Sequence, residues 1–309
     1  MKNKKSCLMV ALTLSAVLCL SALALAEEHG TAPLAENLEI STYRGVSVGG
    51  KLSAVDPQGE ALRYEILTPP NKGSIELEEN GCFVYTPEEA KKGKDYFGYK
   101  AIDSQGNASQ EATVIIRILK QKTAITYADM GGQSAAYAAV TLAENDIFTG
   151  EALAGAHVFS PESPVSRSEF LAMCMKLANR PLLSGVKSTG FADDDHIAVW
   201  AKPYVSTALK EGIISGYARE ASGAVFNGSA PISVSEASVM LDKALRLTNV
   251  SQVWYSAEET VPVWAAQSTA NVIACGVMPP ATSPAAPSLT RAEAAEMLAA
   301  AMDVLNKRR

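Results

Sequence analysis

Histidine and cysteine are scarce in this chain, three and five among 309 residues. His29 lies close to the expected mature N-terminus and His157 falls in a loop. His196 follows Asp193-Asp194-Asp195, a run that reads as a helix start rather than a metal site. No glycine-rich phosphate loop, G-x-S-x-G elbow or H-E-x-x-H pair is present. Paired carboxylates such as Glu258-Glu259 sit in a polar stretch and read as solvated. No catalytic constellation remains, so the chain is expected to be no enzyme and to carry neither cofactor nor metal. Two of the five cysteines, Cys7 and Cys19, lie in the first 26 residues. Cys82, Cys174 and Cys275 are too scattered for a disulfide framework and read as small buried hydrophobes. Positive charge is short as well: 27 Lys and Arg against 33 Asp and Glu give a net charge of −6. That balance argues against nucleic acid and anionic membranes as partners. Beyond residue 26 no apolar run is long enough to span a bilayer.

What is present begins with a leader. Lys2, Lys4 and Lys5 precede an apolar stretch from Cys7 to Leu25, and Ala24-Leu25-Ala26 is a cleavage site of the A-x-A type. Residues 1–26 are therefore expected to be a signal peptide. Leu18 before Cys19 is too large for a lipoprotein cleavage site, so no lipid anchor is expected. Removal of three lysines takes the charge from −6 to −9. The exported protein must then be retained by some other means.

Residues 32–119 carry short alternating runs at Leu62 to Ile66, Ser74 to Leu77, Cys82 to Tyr85, Tyr96 to Ala101 and Ala112 to Ile118. Turn clusters separate them, among them Asp56-Pro57-Gln58-Gly59, Glu79-Asn80-Gly81 and Asp103-Ser104-Gln105-Gly106-Asn107. Strands at this spacing predict an all-β sandwich. Asp56, Asp95 and Asp103 offer hard oxygen ligands of the kind calcium takes. Aspartate is equally the ordinary turn residue, and the turn reading is preferred. Gln121-Lys122-Thr123 reads as a hinge.

The second half is written in helical periodicity, with one pattern three times over. Ser166-Arg167-Ser168-Glu169, Ser233-Val234-Ser235-Glu236 and Thr290-Arg291-Ala292-Glu293 each place a hydroxyl three residues before a glutamate at the head of an apolar helical run. That is a capping box, in which hydroxyl and carboxylate reciprocally satisfy first-turn amides. Trp200 to Gly212 and Trp264 to Gly276 share a spacing of 12, which predicts a helix of three turns closed by a left-handed glycine. The first copy has Ser134 in the tryptophan place and Asp146 in the glycine place. Trp200, Tyr204, Ala208 and Leu209 are predicted to share one face. Phe170, Met173, Cys174 and Leu177 form the buried stripe of the second helix in copy one. Met240, Leu241, Ala244 and Leu245 form it in copy two, and Leu298, Met302 and Leu305 in copy three. Each unit is thus helix, loop, helix with a lead-in such as Tyr127-Ala128-Asp129 or Phe191-Ala192-Asp193. Units this small bury their apolar faces only by stacking on neighbours.

On the motifs Phe191-Ala192-Asp193, Trp200-Ala201, Gly212-Ile213-Ile214-Ser215-Gly216-Tyr217 and Thr290-Arg291-Ala292-Glu293, residues 124–306 resemble three tandem S-layer homology repeats. The boundaries are expected at 124–180, 187–249 and 250–306. Val55 to Tyr64 and Phe83-Val84-Tyr85-Thr86-Pro87 give the front domain the look of a bacterial Ig-like or cadherin-like module, with Gly98 a minor departure. The resemblance implies an all-α, three-fold pseudo-symmetric bundle that binds secondary cell-wall polysaccharide, typically bearing a pyruvate ketal on N-acetylmannosamine. It assigns the ketal carboxylate to the box arginines Arg167 and Arg291. The same grooves would be lined by Asp129, Asp193, Trp200, Trp264 and Gly216, with Glu169 and Glu293 from the boxes. A guanidinium fork beside a helix N-terminus with spare N–H groups suits a carboxylate. Val234 replaces the arginine in copy two, and Tyr255-Ser256-Ala257 lacks the lead-in aspartate in copy three. One or two competent grooves are therefore expected, with the groove at Val234 silent. The expected function is wall anchoring with an Ig-like spacer or adhesion domain at the cell surface. The alternatives are an accessory enzyme of wall metabolism and an outer-membrane tether.

Overall fold

The structure is a computed structural model that describes residues 31–218, 223–247, 261–278 and 288–308. The leader and the lead-in Tyr255-Ser256-Ala257 lie outside the described residues. An N-terminal β-sheet domain is followed by a helical region.

The β domain has strands β1 (Leu34–Ala35), β2 (Leu38–Tyr43), β3 (Val48–Lys51), β4 (Ala54–Val55), β5 (Arg63–Thr68), β6 (Gly73–Leu77), β7 (Cys82–Pro87), β8 (Gly93–Ile102) and β9 (Ala112–Leu119). One sheet runs β2-β9-β8-β5 and a second β3-β7-β6, with β1 and β4 paired apart. β2 and β9 are parallel, Ile40 facing Ile116. Alternation sends Phe83 and Tyr85 of one sheet, and Phe97, Tyr99, Val114 and Ile116 of the other, into a shared core. Phe83 and Phe97 meet edge to face at 5.3 Å. The five strands read from alternation all form. Strands β1 to β4 are not among those expected: β1 and β4 are two residues long, β3 holds two glycines, and the alternation Leu38-Glu39-Ile40-Ser41 in β2 escaped the sequence reading.

The helical region contains α1 (Ala136–Glu144), a hairpin of β10 (Glu151–Leu153) and β11 (Ala156–Val158), α2 (Arg167–Leu177), α3 (Lys202–Lys210), α4 (Val234–Leu245), α5 (Ala266–Ala274) and α6 (Arg291–Lys307). All three capping boxes are complete, at Ser166/Glu169, Ser233/Glu236 and Thr290/Glu293. Asp146, Gly212 and Gly276, just beyond the first helices, take positive φ of 56°, 71° and 68°. The helices of one unit do not pair chiefly with each other. α3 packs on α2, α5 on α4, and α1 on α6, so each first helix lies on the second helix of another unit. The residues before the three caps close this arrangement. Val165 N donates to Leu289 O (3.1 Å), Leu289 N to Ile232 O (2.9 Å) and Ile232 N to Val165 O (3.0 Å). All three side chains are buried at the centre of one apolar cluster that runs through every helix pair.

The face expected for the first helix of copy two is corrected. Ala201, Val205, Thr207 and Ala208 are buried, whereas Trp200 is 52% exposed and Leu209 lies at the surface. The apolar stripe turns toward α2, and Trp200 stands in the turn before α3, off that stripe. Gln121-Lys122-Thr123 is likewise no free hinge. The backbone amides of Lys122 and Thr123 donate to the Glu144 carboxylate at 2.7 and 2.6 Å. Tyr137 N donates to Ser47 O and Gly49 N to Ser134 O, both 2.9 Å, and the Tyr43 and Tyr137 rings sit 5.5 Å apart. The first helix is thereby docked on β3.

Candidate functional site

Each capping box puts its second residue at the first helical position, and at Arg167 and Arg291 that residue faces the loop of another unit. Around Arg167 that loop comes from the unit of α3 and α4. The Asp193 carboxylate accepts Phe226 N at 2.8 Å and Asn227 N at 2.7 Å, holding the loop as it turns through Asn227 at φ 55°. Gly216 approaches so closely that a Cβ there would lie 2.5 Å from the Phe191 ring. Tyr217 then bridges to Val225 and faces the arginine. Arg167 Nε donates to Phe226 O at 3.0 Å, and Nη1 pairs with Glu236 Oε1 at 2.9 Å. Its guanidinium lies 4.7 Å from the Tyr217 ring centre and 5.3 Å from that of Phe226, and the Tyr217 hydroxyl donates to Glu236. Only 5% of Arg167 remains exposed. Burial pulls its pKa down while Glu236 and Asp193 push it up, and arginine stays protonated throughout.

Around Arg291 the same parts come from the first unit. Asp129 accepts Phe159 N at 2.9 Å and Ser160 N at 2.6 Å. Arg291 Nη1 donates to Phe159 O at 3.2 Å and pairs with Glu151 Oε1 at 3.0 Å, while Nη2 lies 3.6 Å from Glu169 Oε1. The Phe148 ring lies 5.5 Å beneath it. Arg291 Nε has no partner.

The spare helix N–H groups expected beside each arginine are not spare. Arg167 N and Ser168 N donate to Ala230 O and Gly228 O, and Arg291 N and Ala292 N to Ser163 O and Pro161 O, at 2.8 to 3.0 Å. The loop carbonyls take the first two amides and the cap takes the third, so the guanidinium alone is left to meet an anion.

Of the other residues singled out, Asp129 and Asp193 hold loops with both carboxylate oxygens. Glu169 and Glu293 complete their boxes, and Glu169 also faces Arg291. Trp200 and Trp264 are 52% and 61% exposed, beside the near-fully exposed Val199 and Val263. Among the described residues the arginines stack on Tyr217, Phe226 and Phe148, not on a tryptophan. Val234 is fully buried, and the loops that would complete its cleft lie outside the described residues. Phe148 and Glu151 escaped the sequence reading. The available signal was position: Glu151 follows Gly150 as Tyr217 follows Gly216.

In the β domain Asp56 and Asp103 lie on separate turns and Asp95 lies in strand β8, a correction to its reading as a turn residue, and each accepts backbone amides. Asp95 takes those of Asn71 and Lys72 and the Tyr85 hydroxyl. Among the described residues no three His, Cys, Asp or Glu side chains gather as metal ligands. No described helix is long and apolar enough to cross a membrane. The described cysteines are all free, and burial pushes the Cys174 thiol far up.

Residues 30–120 match the family model of the bacterial cadherin-like domain, and residues 190–233 that of the S-layer homology domain. No curated protein matches the chain. Among solved structures, an endo-fucoidan hydrolase of glycoside hydrolase family 107 shares 19% identity over 30% of this chain and 14% of its own, with a TM-score of 0.25. The SrpA adhesin of Streptococcus sanguinis shares 20% over 32% of this chain and 67% of its own, at 0.24. A SusE-like surface located polysaccharide binding protein from Bacteroides thetaiotaomicron shares 14% over 32% of this chain and 16% of its own, at 0.22. The S-layer homology match suggests attachment to the cell wall, and the cadherin-like match a spacer or adhesion role.

Proposed function

We propose that the chain is a cell-surface protein held non-covalently to wall polysaccharide by three S-layer homology units, with the cadherin-like domain as spacer or adhesion module. The observation that carries this reading is Arg291, set with unused donor capacity in a cleft formed by two units. Residues 190–233 match the family model, and units 124–180 and 250–306 share its boxes, helix pairs and the ring of cap-preceding amides. The three units then make a pseudo-three-fold bundle. The Arg291 cleft receives a carboxylate, as a pyruvate ketal on the sugar would supply. Arg167 is the lesser site, because Tyr217, Phe226 and Glu236 already enclose it. We read the role as binding rather than catalysis, because in both clefts the carboxylates are engaged by the guanidinium. The test is sedimentation of residues 27–309 with purified cell walls, before and after mild acid removal of ketals. Binding is expected to fall on ketal removal and with Arg291→Ala. Undiminished binding in both cases would refute the reading.

A further inference from the structure

The two arginine clefts are built on one plan, and three of the positions at which they differ set their polarity. Ala128 N donates to His157 O, and Ala192 N to Ala224 O, both at 2.9 Å. Glu151 faces Val158 across its hairpin as Tyr217 faces Val225. These contacts match His157 with Ala224, Glu151 with Tyr217, and Tyr127 with Phe191. The Arg291 cleft is therefore the polar version. Three of its buried polar atoms, Arg291 Nε, Tyr127 Oη and His157 Nδ1, have no partner. The Tyr127 ring lies 6.4 Å from His157 and 5.2 Å from Phe159, whose carbonyl binds Arg291.

Within that cleft Glu151 occupies the arginine poorly. One of its oxygens reaches Nη1, which is shared with Phe159 O, and its side chain is 55% exposed. An exposed ion pair with one contact is weak. A guanidinium prefers a carboxylate that takes two donors at once.

We propose that Glu151 is a resident carboxylate that holds Arg291 in the unliganded protein and is displaced by the carboxylate of an acidic sugar. It thereby sets the threshold and the selectivity of this cleft. The inference rests on the reading of the Arg291 cleft as an acidic-sugar site. The carboxylate on Arg167, Glu236, is itself buried and Tyr217 covers the guanidinium, so of these two clefts the one at Arg291 is open to such exchange.

The experiment is calorimetric titration of residues 27–309 with a synthetic N-acetylmannosamine glycoside bearing a 4,6-pyruvate ketal, and with the same glycoside lacking it. Wild type, Glu151→Gln and Arg291→Ala are compared, with thermal melts to show that each is folded. Glu151→Gln is expected to tighten the ketal sugar about three- to tenfold, the scale of one exposed ion pair removed from competition. The ketal-free sugar should show no gain. An unchanged or weaker affinity in Glu151→Gln, with binding still lost in Arg291→Ala, overturns this inference and leaves the site reading intact. Wild-type affinity in Arg291→Ala overturns both.

Discussion

Arg167 and Arg291 occupy the same box position and yet are expected to fail differently. Arg167 is 5% exposed and neutralises Glu236 inside its cleft. Arg167→Ala leaves that glutamate and the Phe226 carbonyl without their cation, which should cost about 3–5 kcal/mol. Arg291→Ala removes a cation whose main carboxylate partner, Glu151, is half in water. Its stability should fall little, while ligand affinity should drop by about 2–5 kcal/mol. Chemical denaturation and calorimetry on both variants separate the two effects, and equal stabilities would contradict the assignment. Val234 completes the residue-scale picture. It is fully buried, as an apolar side chain in place of the box arginine would be.

At the scale of the elements, the loops that face the arginines are held by single carboxylates. Asp193→Ala would strip the acceptor from the amides of Phe226 and Asn227. An orphaned buried donor costs roughly 1–3 kcal/mol, and Asp193→Ala is expected to fall in that range by urea unfolding. A loss near zero would show that the loop finds other acceptors. Helix α6 offers a pH-dependent counterpart. Glu296 sits where α6 meets the β domain, with Ser134 Oγ at 3.2 Å. Burial lifts its carboxyl above the usual value and Glu293 adds to the lift, against the Ser134 hydrogen bond. A carboxyl raised by folding costs nothing below its unfolded value near 4.5 and destabilises increasingly as pH rises through the folded one. Glu296→Gln keeps a polar group for Ser134 and removes the charge. Its melting temperature should exceed that of the wild type at pH 7 and match it near pH 4. A gain of the same size at both pH values would point to packing instead.

For the whole molecule, the decisive contact is between β3 and the start of α1. A Cβ on Gly49 would lie 2.6 Å from Ser134 Cβ, and the strand passes only because both residues are small. This explains Ser134 in the place where the other units carry tryptophan: a bulky ring there would collide with the β domain. Gly49→Val is expected to undock the domains, enlarging the radius of gyration in small-angle scattering while leaving wall sedimentation unchanged. An unaltered radius would mean that the junction adapts, and lost sedimentation would implicate the β domain in anchoring.

Local chemistry was readable in the sequence wherever it is self-contained along the chain. Capping boxes, left-handed helix stops, alternating strands and turn aspartates each depend on residues within a few positions of one another. Ser166/Glu169, Asp146 and the Asp103 turn therefore stand as read. The site was legible as far as the two arginines and the loop-holding residues Asp129, Asp193 and Gly216. Its other half comes from residues 140 and 50 positions away, Glu151 against Arg291 and Tyr217 against Arg167. Whether a guanidinium is free or already satisfied depends on that packing and on no local pattern. The same holds for the helix amides, which a neighbouring loop claims, and for Trp200, which the crossing of α3 on α2 leaves in solvent. Side-chain type and spacing determined what each unit could offer. The stacking of units, by choosing which groups face each other across low-dielectric clefts, decided which of those offers remain open.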